Sequence, residues 1–323
     1  MRNILHVEKL KVEYPIKYNL FGKIVERHKA VNEINFDINS GEIVGIIGES
    51  GCGKSSLAKA LVGLVEMNAE RIVFNWKFNL HEFKTDKDWR KVRKDIQLIF
   101  QDPISSLDPN KTIGEIISEP LFYLSQTLSK KEIKTKVLSM MRKVGLHESQ
   151  YYRYPHEFSG GQCQRVGIAR ALIVEPKLLI CDEPVSALDV SIQAQIINLL
   201  KVLQKELNLT IIFISHDLSV VKYICNKIFV MYAGNIVEKA TKEDLFNNPQ
   251  HPYTKLLFNS FINTFEKKFF IENFNSDFIE VNEIKKGCPF QNRCNCVQNV
   301  CKIENPTLEI KQNTNTEVAC WCE

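Results

Sequence analysis

No apolar run in this chain approaches the ~18 residues that a membrane-crossing helix requires. Runs such as Ile43 to Ile47 and Leu209 to Ile214 have only the length of buried strands. The first residues, Met1 to Tyr14, mix charges with short apolar steps and lack the apolar core and small-residue cleavage site of a secretory signal. The chain is therefore expected to be cytosolic, with any membrane role exerted through a partner. Blocks of like charge are also missing: 42 Lys plus Arg stand against 38 Asp plus Glu, mixed along the sequence. Without a basic stripe there is no footprint of a nucleic-acid binder, and no nucleic-acid partner is expected. There is no internal repeat, and the paired C-x2-C knuckles that zinc modules favour are absent.

The 323 residues leave room for one large domain with an appendage or two modest domains. Cysteine is unevenly placed. Cys52, Cys163, Cys181 and Cys225 are scattered, whereas Cys288, Cys294, Cys296, Cys301, Cys320 and Cys322 crowd the last 36 residues. A cytosolic thiol cluster points more often to a metal site than to a disulfide frame.

The run Ile43 to Ile47 leads into a glycine-rich turn, and helical periodicity follows at once, with Leu57, Leu61 and Leu64 on one stripe. Further buried strands are expected at Ile96 to Phe100, Leu178 to Cys181, Thr210 to Ser215 and Ile228 to Met231, separated by helix-length segments such as Ile192 to Leu207. That alternation predicts an α/β fold with a mainly parallel sheet covered on both faces. Between Pro103 and Phe158 the strand signal vanishes, and Ile113 to Leu124 and Lys130 to Val144 read as helices of an inserted subdomain. From about Ala240 to Lys286 the sequence turns rich in Asn, Phe and Lys with weak periodicity.

Gly48-Glu49-Ser50-Gly51-Cys52-Gly53-Lys54-Ser55 fits the phosphate-loop pattern G-x-x-x-x-G-K-[ST] in full. Its glycines let backbone N–H groups converge on the β- and γ-phosphates, and the following helix adds its positive end. The loop, taken as Gly48 to Ser56, is expected to hold ATP, with Lys54 on the β/γ-phosphates and the Ser55 hydroxyl in the Mg²⁺ shell. Leu178 to Glu183 is an apolar strand ending in two acids. Asp182 suits Mg²⁺, and Glu183 is placed to polarise an attacking water. Ser159-Gly160-Gly161-Gln162 precedes helical sequence and reads as a second anion-binding helix start, which suggests a γ-phosphate pinched between two subunits. A plain capped helix is the alternative for this motif alone.

In this order the motifs resemble those of ATPase subunits of ATP-binding-cassette (ABC) transporters, across nearly the whole chain. Gln101 matches the family's Q-loop, Ser186-Ala187-Leu188-Asp189 its D-loop, and His216 its switch histidine. The resemblance implies a P-loop NTPase: a RecA-like core, an antiparallel β subdomain, and an inserted helical subdomain at about 103–165. These make up residues 1–250, with a small Cys-rich extension over 251–323. It implies that Gln101 senses the γ-phosphate and Mg²⁺, that His216 contacts the γ-phosphate beside the catalytic Glu183, and that Asp189 lies at a dimer seam. Ser159 to Gln162 would close on the partner's nucleotide. Tyr14 is the candidate to stack on adenine, with Tyr18, Phe21 and His28 as alternatives.

Phe100 to Pro109, Tyr154 to Gln162 and His251-Pro252-Tyr253-Thr254 are similar to the oligopeptide and dipeptide importers. Gly51 to Lys54, Glu157-Phe158 and Gly167 to Arg170 resemble the F-type of the two unlike ATPases in those systems. Cys163 departs from the basic or polar residue usual after the signature. The implied partners are a D-type ATPase, two membrane permease subunits and an extracytoplasmic solute-binding protein, which places the chain at the cytoplasmic face of the membrane. The cargo implied is a peptide; nickel chelates or another small solute are alternatives, and a soluble ATP-driven switch is the reading from another class. The spacing of Cys288, Cys294, Cys301 and Cys320 is similar to that at the carboxyl end of this branch. Four thiolates at such spacing can cage a [4Fe–4S] cluster, with zinc or packing thiols as alternatives and Cys296 and Cys322 as substitutes for Cys294 and Cys320.

Overall fold

The computed structural model describes residues 2–19, 21–124, 128–265, 286–311 and 315–322. The chain opens with a long antiparallel hairpin, β1 (Asn3–Tyr18) and β2 (Ile24–Asn39). Leu5 and Val7 are buried, then Leu10 and Val12, so the alternation changes phase between Val7 and Leu10. There the register shifts and Lys9 adopts a positive φ of 48°, a bulge that turns one face of the strand over. β3 (Ile43–Ile47) passes to a second sheet, whereas β4 (Arg71–Phe74) and β5 (Phe78–Asn79) return to the first in the order β2-β1-β4-β5. This is the antiparallel subdomain that the family resemblance implies.

In the second sheet β3 lies parallel with β6 (Ile96–Ile99), β7 (Leu178–Asp182), β8 (Thr210–Ile214) and β9 (Lys227–Tyr232), in the order β9-β3-β8-β7-β6. All residues of β3, β7 and β8 are buried. A parallel strand covered on both faces has no solvent side, hence the uninterrupted apolar runs. Each fully buried aliphatic side chain contributes about 1.5–3 kcal/mol, against about 0–1 kcal/mol for a surface ion pair. The sheet core therefore dominates stability.

Beyond β9 the sheet is extended by antiparallel strands: β10 (Asn235–Thr241), with β11 (Glu309–Ile310) and β12 (Glu317–Val318) outside it. Cys288, Phe290 and Cys301 share the core cluster with Tyr232 of β9, and Lys239 of β10 pairs with Glu317 at 2.7 Å. The carboxyl-terminal region is thus built into the sheet edge. Residues 266–285, within the Asn- and Phe-rich stretch, lie outside the described residues.

Helix α1 (Lys54–Leu61) buries Leu57 and Leu61. Leu64, expected on the same stripe, falls past its end and is exposed, because Gly63 at φ 74° has already turned the chain out of the helix. After the short α2 (Asp86–Trp89), the insertion between β6 and β7 carries α3 (Ile113–Leu124), α4 (Lys130–Lys143) and α5 (Gly160–Leu172). α3 buries Ile113, Ile116, Ile117 and Leu121, and α4 buries Ile133, Val137, Met140 and Met141, each a single helical stripe. α5 starts at Gly160, since Ser159 and Gln162 cap it reciprocally. α6 (Val190–Leu207) starts ahead of Ile192 because Asp189 caps it. The chain continues through α7 (Leu218–Ile224), α8 (Lys242–Asn247) and α9 (Pro252–Phe265). Among the described residues no helix is long and apolar enough to cross a membrane.

Candidate active site

The loop between β3 and α1 turns through Gly51 and Gly53 at φ 81° and 107°, a region that L side chains rarely adopt. A Cβ on Gly53 would also collide with the Ala30 carbonyl of β2. No side chain caps the start of α1, although Ser129, Ser159, Asp189, Asp217 and Thr241 cap α4 to α8. The first-turn N–H groups of α1 therefore keep their capacity for an anion. The ammonium of the buried Lys54 donates to the carbonyls of Gly48 and Glu49 at 2.8 and 2.9 Å and lies 3.5 Å from Cys52 Sγ. Burial pushes the Cys52 thiol above its ordinary pKa, so at neutral pH it stays protonated and leaves the Lys54 charge uncancelled. Glu49 points to Arg293 and Tyr253 of the carboxyl-terminal region. The sequence carries no signal that singles out Arg293, and Tyr253 stands out in it only within His251-Pro252-Tyr253-Thr254.

β7 delivers the two acids. Ser55 Oγ donates to Asp182 Oδ1 at 2.9 Å, which brings two hard oxygen donors together, a set suited to Mg²⁺. Burial raises the Asp182 pKa, the Ser55 bond opposes that rise, and neighbouring Glu183 adds to it. Glu183 holds a left-handed φ of 46° while its N–H donates to the Ile214 carbonyl at 3.0 Å. Such a conformation costs about 1–3 kcal/mol for a non-glycine residue. It places the carboxylate where Gln101 Nε2 donates to Oε2 at 3.0 Å and His216 Nδ1 lies 3.2 Å from Oε1.

One cleft of about 600 Å³ is lined by Ser50, Gly51 and Gly53 to Ser56 of the loop, together with Gln101, Glu183 and His216. Tyr14 and His28 of the hairpin also line it, and the Tyr14 hydroxyl donates to Ser56 Oγ at 3.3 Å. Tyr18 and Phe21 do not line it and are exposed nearer the hairpin tip. Ser159 to Gln162 and Asp189 lie outside this cleft too. Ser159 N–H donates to Gln162 Oε1 at 3.0 Å, and Gln162 N–H to Ser159 Oγ at 3.4 Å. The two stretches touch, since Cβ atoms on Gly160 and Gly161 would meet Leu188 and Ile192. Asp189 takes hydrogen bonds from the Ser191 hydroxyl at 2.7 Å and Ile192 N–H at 3.0 Å, which lower its pKa.

Cys288, Cys294, Cys301 and Cys320 line a single enclosed pocket with Cys322. Cys296 does not line it, yet Cys294, Cys296 and Cys322 have their sulfurs within 4.8 Å of one another. Burial pushes Cys288 up to about 11 and Cys294 to about 12. Trp321 in the same wall has a buried Nε1–H with no acceptor. The donor set is soft, and the Trp321 N–H of this wall is left without a partner. The free space is about 10 Å³, enough for one small ion; a four-iron cube requires the thiols to rotate outward.

The family described as ABC transporter matches residues 31–186, and the one described as oligopeptide/dipeptide transporter, C-terminal region, matches 237–301. The oligopeptide transport ATP-binding protein OppF of Haemophilus influenzae is 48% identical over 98% of this chain and 96% of its own length. This chain belongs to the ATP-binding-cassette transporter family. A second cassette relative, OppF of Escherichia coli, is 47% identical over 95% of this chain and 92% of its own. The solved cassette MJ0796, a dimer in a post-hydrolysis state bound to ADP and Pi, has a TM-score of 0.66 and 26% identity, covering 74% of this chain and 99% of that one. In the present cassette Cys163 is 1% exposed, with Sγ 3.7 Å from the Pro155 carbonyl. The side chain after the signature therefore serves α5 packing.

Proposed function

We propose that this chain is the ATP-hydrolysing subunit of an importer of oligopeptides or dipeptides. The observation that carries the reading is Glu183, held between the Gln101 amide and the His216 imidazole in the cleft of the phosphate loop. The N-terminus of α1 and Lys54 bind the β- and γ-phosphates. Ser55, Asp182 and Gln101 hold Mg²⁺, which supplies countercharge to the phosphates when bound. Glu183 accepts the proton of the attacking water, His216 orients the γ-phosphate and Gln101 positions the water against it. Tyr14 stacks on the adenine.

Ser159 to Gln162 and Asp189 act on a partner's nucleotide across a cassette–cassette seam, and the partner is a distinct D-type ATPase. Their place outside the cleft supports this assignment. Hydrolysis followed by release of phosphate removes the charge that holds the two halves together, and the segment Gln101 to Pro109 passes the opening to the permease subunits. Two permease subunits anchor the pair at the cytoplasmic face of the membrane, and an extracytoplasmic binding protein supplies the peptide. Peptide uptake with Glu183→Gln tests the reading: loss of uptake is expected, and wild-type uptake would refute it.

Cys288, Cys294, Cys301 and Cys320 hold a metal centre: the space as it stands suits a single ion, and an iron–sulfur cluster would need the thiols to rotate outward. Thiolates must replace the protonated thiols on binding, so assembly releases protons. Anaerobically purified protein is expected to contain iron and acid-labile sulfide. Zinc in their place identifies a mononuclear site, and protein free of both metals with normal ATPase activity refutes the metal reading.

A further inference from the structure

Glu49, the second residue of the phosphate loop, is held on three sides. Its N–H donates to the Tyr253 hydroxyl at 2.8 Å, its carbonyl accepts from Lys54 Nζ at 2.9 Å, and its carboxylate receives two bonds from Arg293 at 2.9 and 3.0 Å. Two of these three holds come from the carboxyl-terminal region. Tyr253 is fully buried, with its ring 4.6 Å from Tyr232 and 5.6 Å from Phe290. The Arg293 guanidinium lies over those same two partners, 5.8 Å from the Tyr232 ring and 5.7 Å from that of Phe290. The fork is thus set by packing before it meets the carboxylate, which favours a paired, directional bond over a loose surface contact.

The position matters as much as the strength. Glu49 occupies one of the four unspecified places in G-x-x-x-x-G-K-[ST], so its side chain is free for a purpose other than gripping phosphate. Its carbonyl is nevertheless a resting partner of the Lys54 amine. A shift of Glu49 therefore moves the amine that meets the phosphates.

We propose that Arg293 and Tyr253 are positioning residues for nucleotide binding: the carboxyl-terminal module clasps Glu49 and holds the phosphate loop in its binding conformation. Neither residue reaches the nucleotide cleft; both act through Glu49. This rests on the ATP reading of the site. It also gives the His251-Pro252-Tyr253-Thr254 motif a task, because that motif places Tyr253 at the start of α9.

The test is equilibrium ATP binding and steady-state hydrolysis by the full chain in its transporter complex. Arg293→Ala is expected to weaken ATP binding about tenfold while kcat at saturating ATP stays near wild type, and Glu49→Ala is expected to weaken ATP binding by a similar factor. The double variant is expected to be no worse than either single one. The reversed pair, Glu49→Arg with Arg293→Glu, should recover most of the lost affinity. Tyr253→Phe, which removes one hydroxyl and keeps the ring, gives an independent arm if Arg293→Ala fails to fold, and it too should weaken binding. Unchanged ATP affinity in every folded variant, with only a lowered Tm, overturns the clasp. A wild-type complex that binds no ATP overturns the nucleotide reading instead, so the two failures are distinguishable.

Discussion

Asp182 and Glu183 are neighbours with opposite environments. The Asp182 side chain is buried with Ser55 as its hydrogen-bond partner, whereas Glu183 keeps 15% of its side chain exposed and faces Gln101 and His216. Burial raises the Asp182 pKa above the ordinary 3.8. Its carboxyl thus favours the folded state most when protonated, below the ordinary value, and that contribution is lost as pH rises through the raised one. At neutral pH the ionised group opposes folding of the nucleotide-free protein. Asp182→Asn should then melt higher than wild type at pH 7.5, with the advantage shrinking toward pH 4, while Mg²⁺-dependent hydrolysis is lost. Thermal melts across that range, paired with an ATPase assay, check both halves; a lower melting point at neutral pH contradicts the account. These two acids are legible in the sequence because β7 is an apolar run that stops at them. The left-handed φ of Glu183 is not, because it depends on the bond from its N–H to Ile214 on the adjacent strand.

At the scale of elements, legibility follows solvent exposure. β3, β7 and β8 read directly, since burial on both faces leaves nearly unbroken apolar runs, whereas β6 at the sheet edge admits the half-buried Gln97. The β1–β2 hairpin does not, because positive φ at Lys9 and Glu33 accompanies slips in register that interrupt the period of two. Helix starts come earlier than their apolar stripes for the same local reason, a cap that precedes the first buried residue. The start of α5 carries a prediction. Ser159→Ala removes one half of a reciprocal cap and should cost about 1 kcal/mol, a fall in Tm of roughly 2–4 °C in a domain of this size. The isolated chain should still bind ATP, because Ser159 lies outside its own cleft. Hydrolysis by the assembled transporter should fall more than the loss of stability explains. Calorimetry, ATP binding and complex ATPase activity read out the three effects; an ATPase rate that tracks stability alone contradicts the role across the seam.

The whole molecule joins distant parts of the sequence in and beside one cleft. Tyr14 of the hairpin meets Ser56, and Arg293 reaches Glu49 across 244 positions. No periodicity or motif spacing announces such a pairing, since it depends on Phe290 packing against Tyr232 and Tyr253 and setting Arg293 beside them. The central claim is that hydrolysis at Glu183 drives peptide import. It is tested most directly by ATP-dependent uptake of a labelled oligopeptide into cells whose only copy of this chain carries Glu183→Gln. With a positioned base contributing about 10²–10⁴ in rate, uptake should fall at least a hundredfold while the variant still binds ATP. Uptake at the wild-type rate in that variant would contradict the account.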